Sequence, residues 1–313
     1  MHAPAIDTSN TAPSRTFGLL LAASTALLAA ILWSTHHLLL VGAPAALRGI
    51  WPGMTCLLVP QASDLAPHLA SYGFLLAIFG GFASGTRAVV LQQRRTVALV
   101  RACRAGRALP GRDVQGLASQ LRLTGRVDVV DTPAPLAFCY GYLRPRVMLS
   151  RGLVDLLSAE ELGALLIHER EHMQQHDPLK VAVGRLLTSA VFFVPLIRVL
   201  YQRYLIEKEL AADAAAIVAQ GSAAGLTSAL AALLESASGM TPHGAVGGDE
   251  ALDVRIDALL GEPIRLWTGM GYLPVLGSLA VTLLAFVPLI IGLPNGTAGA
   301  TGPISASMCH LMG

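Results

Sequence analysis

Charged residues are scarce in this chain: of 313 residues only 13% are Asp, Glu, Lys or Arg, against 53% hydrophobic, and the mean hydropathy is +0.58. An ordinary soluble domain carries about a quarter charged residues, so this balance excludes one and points into or onto a bilayer. An excess of one sign is also lacking. With a net charge of +2, no basic stripe interleaved with aromatics and no glycine-rich phosphate loop, nucleic-acid binding is excluded. Cysteine is sparse too. Cys56, Cys103, Cys139 and Cys309 stand far apart without a CxxC pair, which argues against a cysteine zinc knuckle or a dense disulfide framework.

What the chain has instead is long apolar runs. Phe17 to Trp33, continuing through Leu38, Leu39, Leu40 and Val41, is uncharged and long enough to cross a hydrocarbon core of about 30 Å at about 1.5 Å per residue. Arg15 before it and Gly42-Ala43 after it would also suit a cleavable signal peptide, against which its length argues; either reading requires a membrane. Spans are therefore expected at about 17–40, at 69–90 and at 266–293, the last ending in an Asn-Gly turn and a short polar tail. Arg87, Arg94, Arg95, Arg101, Arg104, Arg107 and Arg112 crowd the segment after the second span, whereas the 42–68 connection carries Arg48 alone. The positive-inside rule then puts the arginine-rich segment in the cytoplasm and both the 42–68 connection and the 294–313 tail outside. In that outer compartment Cys56 and Cys309 either form a disulfide or are two unrelated thiols.

Between the spans the pattern changes. Val127 to Asp131, Leu136 to Tyr142 and Arg146 to Ser150 read as two or three strands, with Leu143-Arg144-Pro145 as a turn. Ser158 stands three residues before Glu161 ahead of an apolar run, a capping-box signature that starts a helix near Ala159. Asp177-Pro178 closes that helix, with Asp177 expected as the next N-cap.

The helix carries His168-Glu169-Arg170-Glu171-His172. Residues four apart lie one turn along and about 40° around a helix, so two imidazoles can meet one tetrahedral ion at about 2.0 to 2.1 Å. Glu169 then projects beside the pair, as a general base that takes a proton from water rather than as a ligand. A third ligand is needed. A histidine six residues after His172 would make the metzincin pattern, but that position is Pro178. Glu209 and Asp213, four apart on a helix otherwise mostly Ala and Leu, supply a carboxylate: Glu209 as ligand and Asp213 as the acceptor that holds a histidine's other nitrogen. His176 fits a capping or solvated role, Glu207 a salt bridge or the surface, and Glu171 points off the metal face. Tyr204 and Arg203 are near Glu209 in sequence, which makes them weak candidates for an oxyanion donor.

Topology adds a constraint. Were Val181 to Leu200 a single crossing, Glu209 would be across the lipid from His172, so this apolar run must return. Phe192, Phe193 and Val194 before Pro195 suit the tip of a re-entrant helical hairpin, with Arg185 and Arg198 nearer the interface; a hairpin packed inside the domain serves the chemistry equally well. Gly239 to Asp249 reads as a linker, a cover for the cleft or a self-cleavage site.

The ordered set Tyr140-Gly141-Tyr142-Leu143-Arg144-Pro145-Arg146, the Leu-Ser-Ala-Glu-Glu-Leu entry, the His168 to His172 helix with its Asp-Pro, and Glu209-Leu-Ala-Ala-Asp213 resembles the membrane zinc metallopeptidases that include the β-lactam sensor-transducers BlaR and MecR. Arg255-Ile256 with Leu259 and Leu260 is similar as well, and the HtpX and CAAX-protease group shares the scheme of the two histidines plus Glu-x-x-x-Asp. The resemblance implies a multi-pass protein of the bacterial inner membrane with a cytoplasmic active site, one Zn2+ per chain, and a protein or peptide substrate such as itself or a cytosolic transcriptional repressor, cut after an external signal. The antibiotic sensors carry a penicillin-binding domain after the last span; the tail of about 20 residues here is too short to bury a core, so direct β-lactam sensing is not expected.

The expected fold class is a mainly α membrane protein: an N-terminal membrane hairpin over 1–91, a cytoplasmic gluzincin-like HExxH domain over 92–265 with a small β-sheet and the 181–200 hairpin, a last span at 266–293, and an outer tail over 294–313. The expected activity is zinc endopeptidase at the cytoplasmic face. The alternative is a catalytically silent membrane transducer whose zinc is structural or absent, against which a glutamate beside the first histidine argues.

Overall fold

The computed structural model describes residues 12–48, 62–105, 107–108, 112–237, 249–260, 262 and 272–280. Cys56, Cys309, the tail, and the expected loop up to residue 248 lie outside the described residues, as does most of the third expected span.

Two long helices open the fold, α1 (Ala12–Arg48) and α2 (Ala62–Ala105). Both extend beyond the expected spans, because helical propensity continues past the apolar window into flanking residues. By length and composition, Ala12–Trp33 and Leu75–Arg101 could each cross a membrane. After α2 come β1 (Arg107–Ala108), which the sequence reading did not anticipate, α3 (Arg112–Gln120), β2 (Val127–Val130), β3 (Ala137–Tyr140) and β4 (Arg146–Ser150). The strands form one sheet in the order β1-β2-β4-β3. β2 runs parallel to β4, with Val127 opposite Val147, while β3 and β4 make the antiparallel hairpin anticipated around Pro145, with Tyr140 opposite Arg146. Asp128 anchors this hairpin by accepting from Tyr140 Oη and from both Nε and Nη2 of Arg146.

Helices follow: α4 (Arg151–Leu156), α5 (Ala159–Gln174), α6 (Asp177–Ala190), α7 (Pro195–Gln220), α8 (Ala224–Ala237) and α9 (Asp249–Leu260). The capping box at α5 is complete: Ser158 Oγ accepts from the Glu161 amide, and the Glu161 carboxylate accepts from the Ser158 amide. Such a cap contributes about 1 kcal/mol and fixes where the helix begins. The next cap corrects the expectation by one residue. His176, at φ 55°, is the N-cap of α6, and Asp177 is its first helical residue. Residues 191–194 form the tip between α6 and α7, so the 181–200 run does return on itself.

Two cores meet along α5 and α7. One, built from Val114, Leu123, Val147, Leu149, Leu153, Leu162 and Leu166, lies between the sheet and α3, α4, α5 and α8. The other gathers Leu20 of α1 with Val181, Val191, Val194, Ile197, Tyr201, Tyr204 and Leu205 of the α6–α7 hairpin. Close approach there depends on glycine. A Cβ on Gly184 would stand 2.6 Å from the Tyr201 ring, and one on Gly81 of α2 would stand 2.2 Å from the Ser189 carbonyl. The hairpin tip is held from a further helical segment at 272–280, where Ser278 Oγ accepts from the Leu196 amide at 2.9 Å.

Candidate metal centre

The seam where α5 packs on α7 brings together three of the anticipated side chains. His168 and His172 occupy successive turns of α5, buried at 4% and 8% exposure, because the helix turns this face away from solvent toward α7. Their Nε2 atoms lie 3.1 Å apart, and Glu209 Oε2, from α7, stands 3.5 Å from the first and 3.6 Å from the second. Ligand atoms about 2.0 to 2.1 Å from a tetrahedral ion stand about 3.3 Å from one another. The observed triangle has those dimensions, so these residues could hold one divalent cation.

The outward nitrogens of both rings are engaged. His172 Nδ1 donates to Asp177 Oδ2 at 2.7 Å. His168 Nδ1 lies 2.9 Å from Asp213 Oδ1, close but off the line of a good hydrogen bond. Behind each carboxylate stands another donor. Arg255 of α9 forks Asp213 with Nε and Nη2, both at 2.8 Å, and its Nη1 is 3.5 Å from Glu209 Oε2. Tyr204 Oη donates to Asp177 Oδ1 at 2.9 Å. The other oxygen of Glu209 accepts from buried Lys208.

Charge follows from these contacts. Burial pushes the Glu209 carboxyl up, but Lys208 and the two histidines outweigh it and hold it well below the usual carboxylate range. Asp213 is likewise lowered against burial by His168 and Arg255. Burial depresses His172, yet Glu209 and Asp177 raise it to about 10, and Asp213 with Glu209 raises His168. The result is a buried cradle of ionised carboxylates around two imidazoles, a donor set suited to a dication. Glu169, next to His168, is buried; the Cys139 thiol of β3 is pushed up by burial, and Glu169 and Asp177 add to the rise.

His168, His172, Glu209 and Asp213 thus converge, Glu169 is buried next to His168 in sequence, and Cys56 and Cys309 fall outside the described residues. Glu171 is off the triangle as anticipated, accepting from Gln175. Glu207 is buried, paired with Arg203 at 2.6 Å. Neither oxyanion candidate works as one, since the Tyr204 hydroxyl is spent on Asp177 and Arg203 holds Glu207. Asp177 was read only as a cap. Its signal was an acidic residue five positions after His172, where the left-handed turn at His176 swings the chain back under the ring.

Residues 79–259 match the family described as BlaR1 peptidase M56. Two relatives are similar over a shorter stretch: Protease HtpX homolog 2 of Methanosarcina mazei, 34% identical over 71 residues, or 22% of this chain and 24% of the relative, and Protease HtpX homolog of Lactobacillus acidophilus, 31% identical with the same coverage. The chain thus spans about a quarter of the length of each relative, 24% in both cases.

Proposed function

The chain belongs to the BlaR1 peptidase M56 family, and from that premise we propose that it is a zinc-dependent endopeptidase of a bacterial inner membrane, cutting peptide bonds at the cytoplasmic face. The observation that carries this reading is the triangle of His168 Nε2, His172 Nε2 and Glu209 Oε2, with edges of 3.1, 3.5 and 3.6 Å.

In this reading His168, His172 and Glu209 hold one Zn2+, with Asp213 and Asp177 keeping the imidazole Nδ1 atoms protonated so that each Nε2 points inward. When bound, zinc supplies a Lewis acid that acidifies water and polarises a carbonyl. Glu169, one position after His168, takes the proton of the attacking water and passes it to the departing amine. Substrate positioning falls to β3. It pairs with β4 on one side, packs against α5, and among the described residues has no strand on its other edge. An extended peptide could be added there as a further strand.

The apolar stretches at about 17–40 and 69–90, within α1 and α2, serve as spans, joined by a third at 266–293; residues 92–265 form the cytoplasmic domain, and the 181–200 hairpin is re-entrant. Support comes from the arginines that follow the second span. Regulated cleavage of the chain itself or of a cytosolic transcriptional repressor fits the family resemblance. Comparing peptide maps of cells bearing wild type and Glu169→Gln tests the proposal. A peptide produced only by wild type supports it, and identical maps leave the silent transducer as the better account.

A further inference from the structure

Thr16 and Phe17 lie in α1, outside the residues 79–259 that match the family, yet they reach the back of the metal centre. The Phe17 ring packs on Tyr204 at 5.1 Å between centroids, tilted by 49°. Tyr204 is fully buried, and its hydroxyl donates to Asp177, whose other oxygen accepts from His172 Nδ1. One side of Tyr204 is therefore an apolar wall contributed by α1, and its polar tip touches the carboxylate that orients a histidine.

A second contact fixes α1 against α7. Thr16 Oγ1 donates to Glu207 Oε2 at 2.5 Å, while Arg203 Nε donates to the other oxygen at 2.6 Å. Glu207 is only 5% exposed, and a buried carboxylate stripped of a donor is costly, so this bond resists sliding or rotation of α1. Leu20, one turn further along α1 and fully buried, joins the same core.

We propose that the start of α1 is part of the support of the metal site: Thr16 fixes α1 on α7 through Glu207, Phe17 seats Tyr204, and Tyr204 is a positioning residue that orients His172 through Asp177. The first apolar helix then does more than anchor the chain, because its displacement along or about its axis reaches the ion through three side chains. This inference rests on the reading of His172 as a metal ligand.

The test is Co2+ titration of the full-length chain in detergent, followed by the visible band of the bound ion, with thermal unfolding of each metal-free variant in parallel. Tyr204→Phe keeps the ring and its packing and removes only the hydroxyl. It is expected to weaken Co2+ binding about tenfold, the low end for loss of an outer partner of a ligating histidine, and to shift the band. Thr16→Val should weaken binding about threefold, and Thr16→Ser, which restores the hydroxyl, should recover it. A Tyr204 that merely fills the core would lower thermal stability and leave affinity and band untouched; a folded Tyr204→Phe protein binding within about twofold of wild type therefore overturns the inference. Should Tyr204→Phe not fold, the Thr16 pair decides, and equal affinity of the Val and Ser variants overturns it. Wild type that fails to bind Co2+ brings down the metal reading and this inference with it. Wild type that binds but cuts nothing, with Tyr204→Phe binding more weakly, supports the inference and refutes only the peptidase reading.

Discussion

The α9 side and the α1 side of the metal centre are alike in their first contact and unlike in the next. Each histidine turns Nδ1 to an aspartate, Asp213 for His168 and Asp177 for His172. Behind Asp213 stands the guanidinium of Arg255, and behind Asp177 the neutral hydroxyl of Tyr204. A guanidinium both orients and neutralises its carboxylate, whereas a phenol only orients it. The α9 side is thus nearly balanced in charge without an ion. On the α1 side the Asp177 carboxylate has only a hydroxyl behind it and faces His172, which is driven, against burial and with Glu209 as the larger cause, to about 10.

Substitutions can break or sharpen this contrast. The largest effect belongs to the residue on neither side. Glu169→Gln should lower kcat by about 10^2- to 10^4-fold while Co2+ affinity stays near wild type, because it removes proton transfer and no ligand; a parallel fall in affinity would mean that Glu169 helps hold the ion. Next, Arg255→Met leaves Asp213 buried without its cation and should cost about 3 to 5 kcal/mol in unfolding of the metal-free protein. Tyr204→Phe, by comparison, should cost about 1.5 to 3 kcal/mol, the worth of one hydrogen bond to a charged group. Equal losses in denaturant melts would erase the distinction between a neutralising and an orienting partner. Asp177→Asn and Asp213→Asn should each loosen metal by about 10- to 100-fold in competition with a chelator.

The last effect is on pH. His172 has a folded pKa near 10 against an ordinary 6.5, so the stability it contributes to the metal-free protein is complete below pH 6.5 and is lost as pH rises toward 10. Metal-free protein should therefore melt progressively lower between those values, and Asp177→Asn should flatten the slope. A melting temperature independent of pH over that window would contradict the charge assigned to the α1 side.

Much of the centre was legible beforehand. The capping box at Ser158 and Glu161, the two histidines one turn apart, and Glu209 with Asp213 one turn apart are all local patterns that a helix reads out with its own period. The return at 191–194 is also legible, since Glu209 cannot join His172 unless the apolar run turns back, and Pro195 marks where. Asp177 is harder to read, because Asp-Pro fits a cap so well and the left-handed backbone at His176 that redirects it is uncommon at any residue but glycine. Tyr204 and Arg203 are near Glu209 in sequence, but on a helix neighbours at five and six positions face elsewhere, and their partners are Asp177 and Glu207.

The sequence by itself determined which side chains could form a clamp: the pairs four residues apart need only 3.6 residues per turn to become neighbours. Only the tertiary structure decided that α5 and α7 face each other with Glu209 Oε2 3.5 Å from His168, that Arg255 closes over Asp213, and that Thr16 reaches Glu207 across 191 positions of chain. The reason is physical. A helix's own geometry acts over a few residues, whereas the partner of a buried hydrogen-bonding group is chosen by whichever apolar surfaces pack together, and that choice is made by the whole chain.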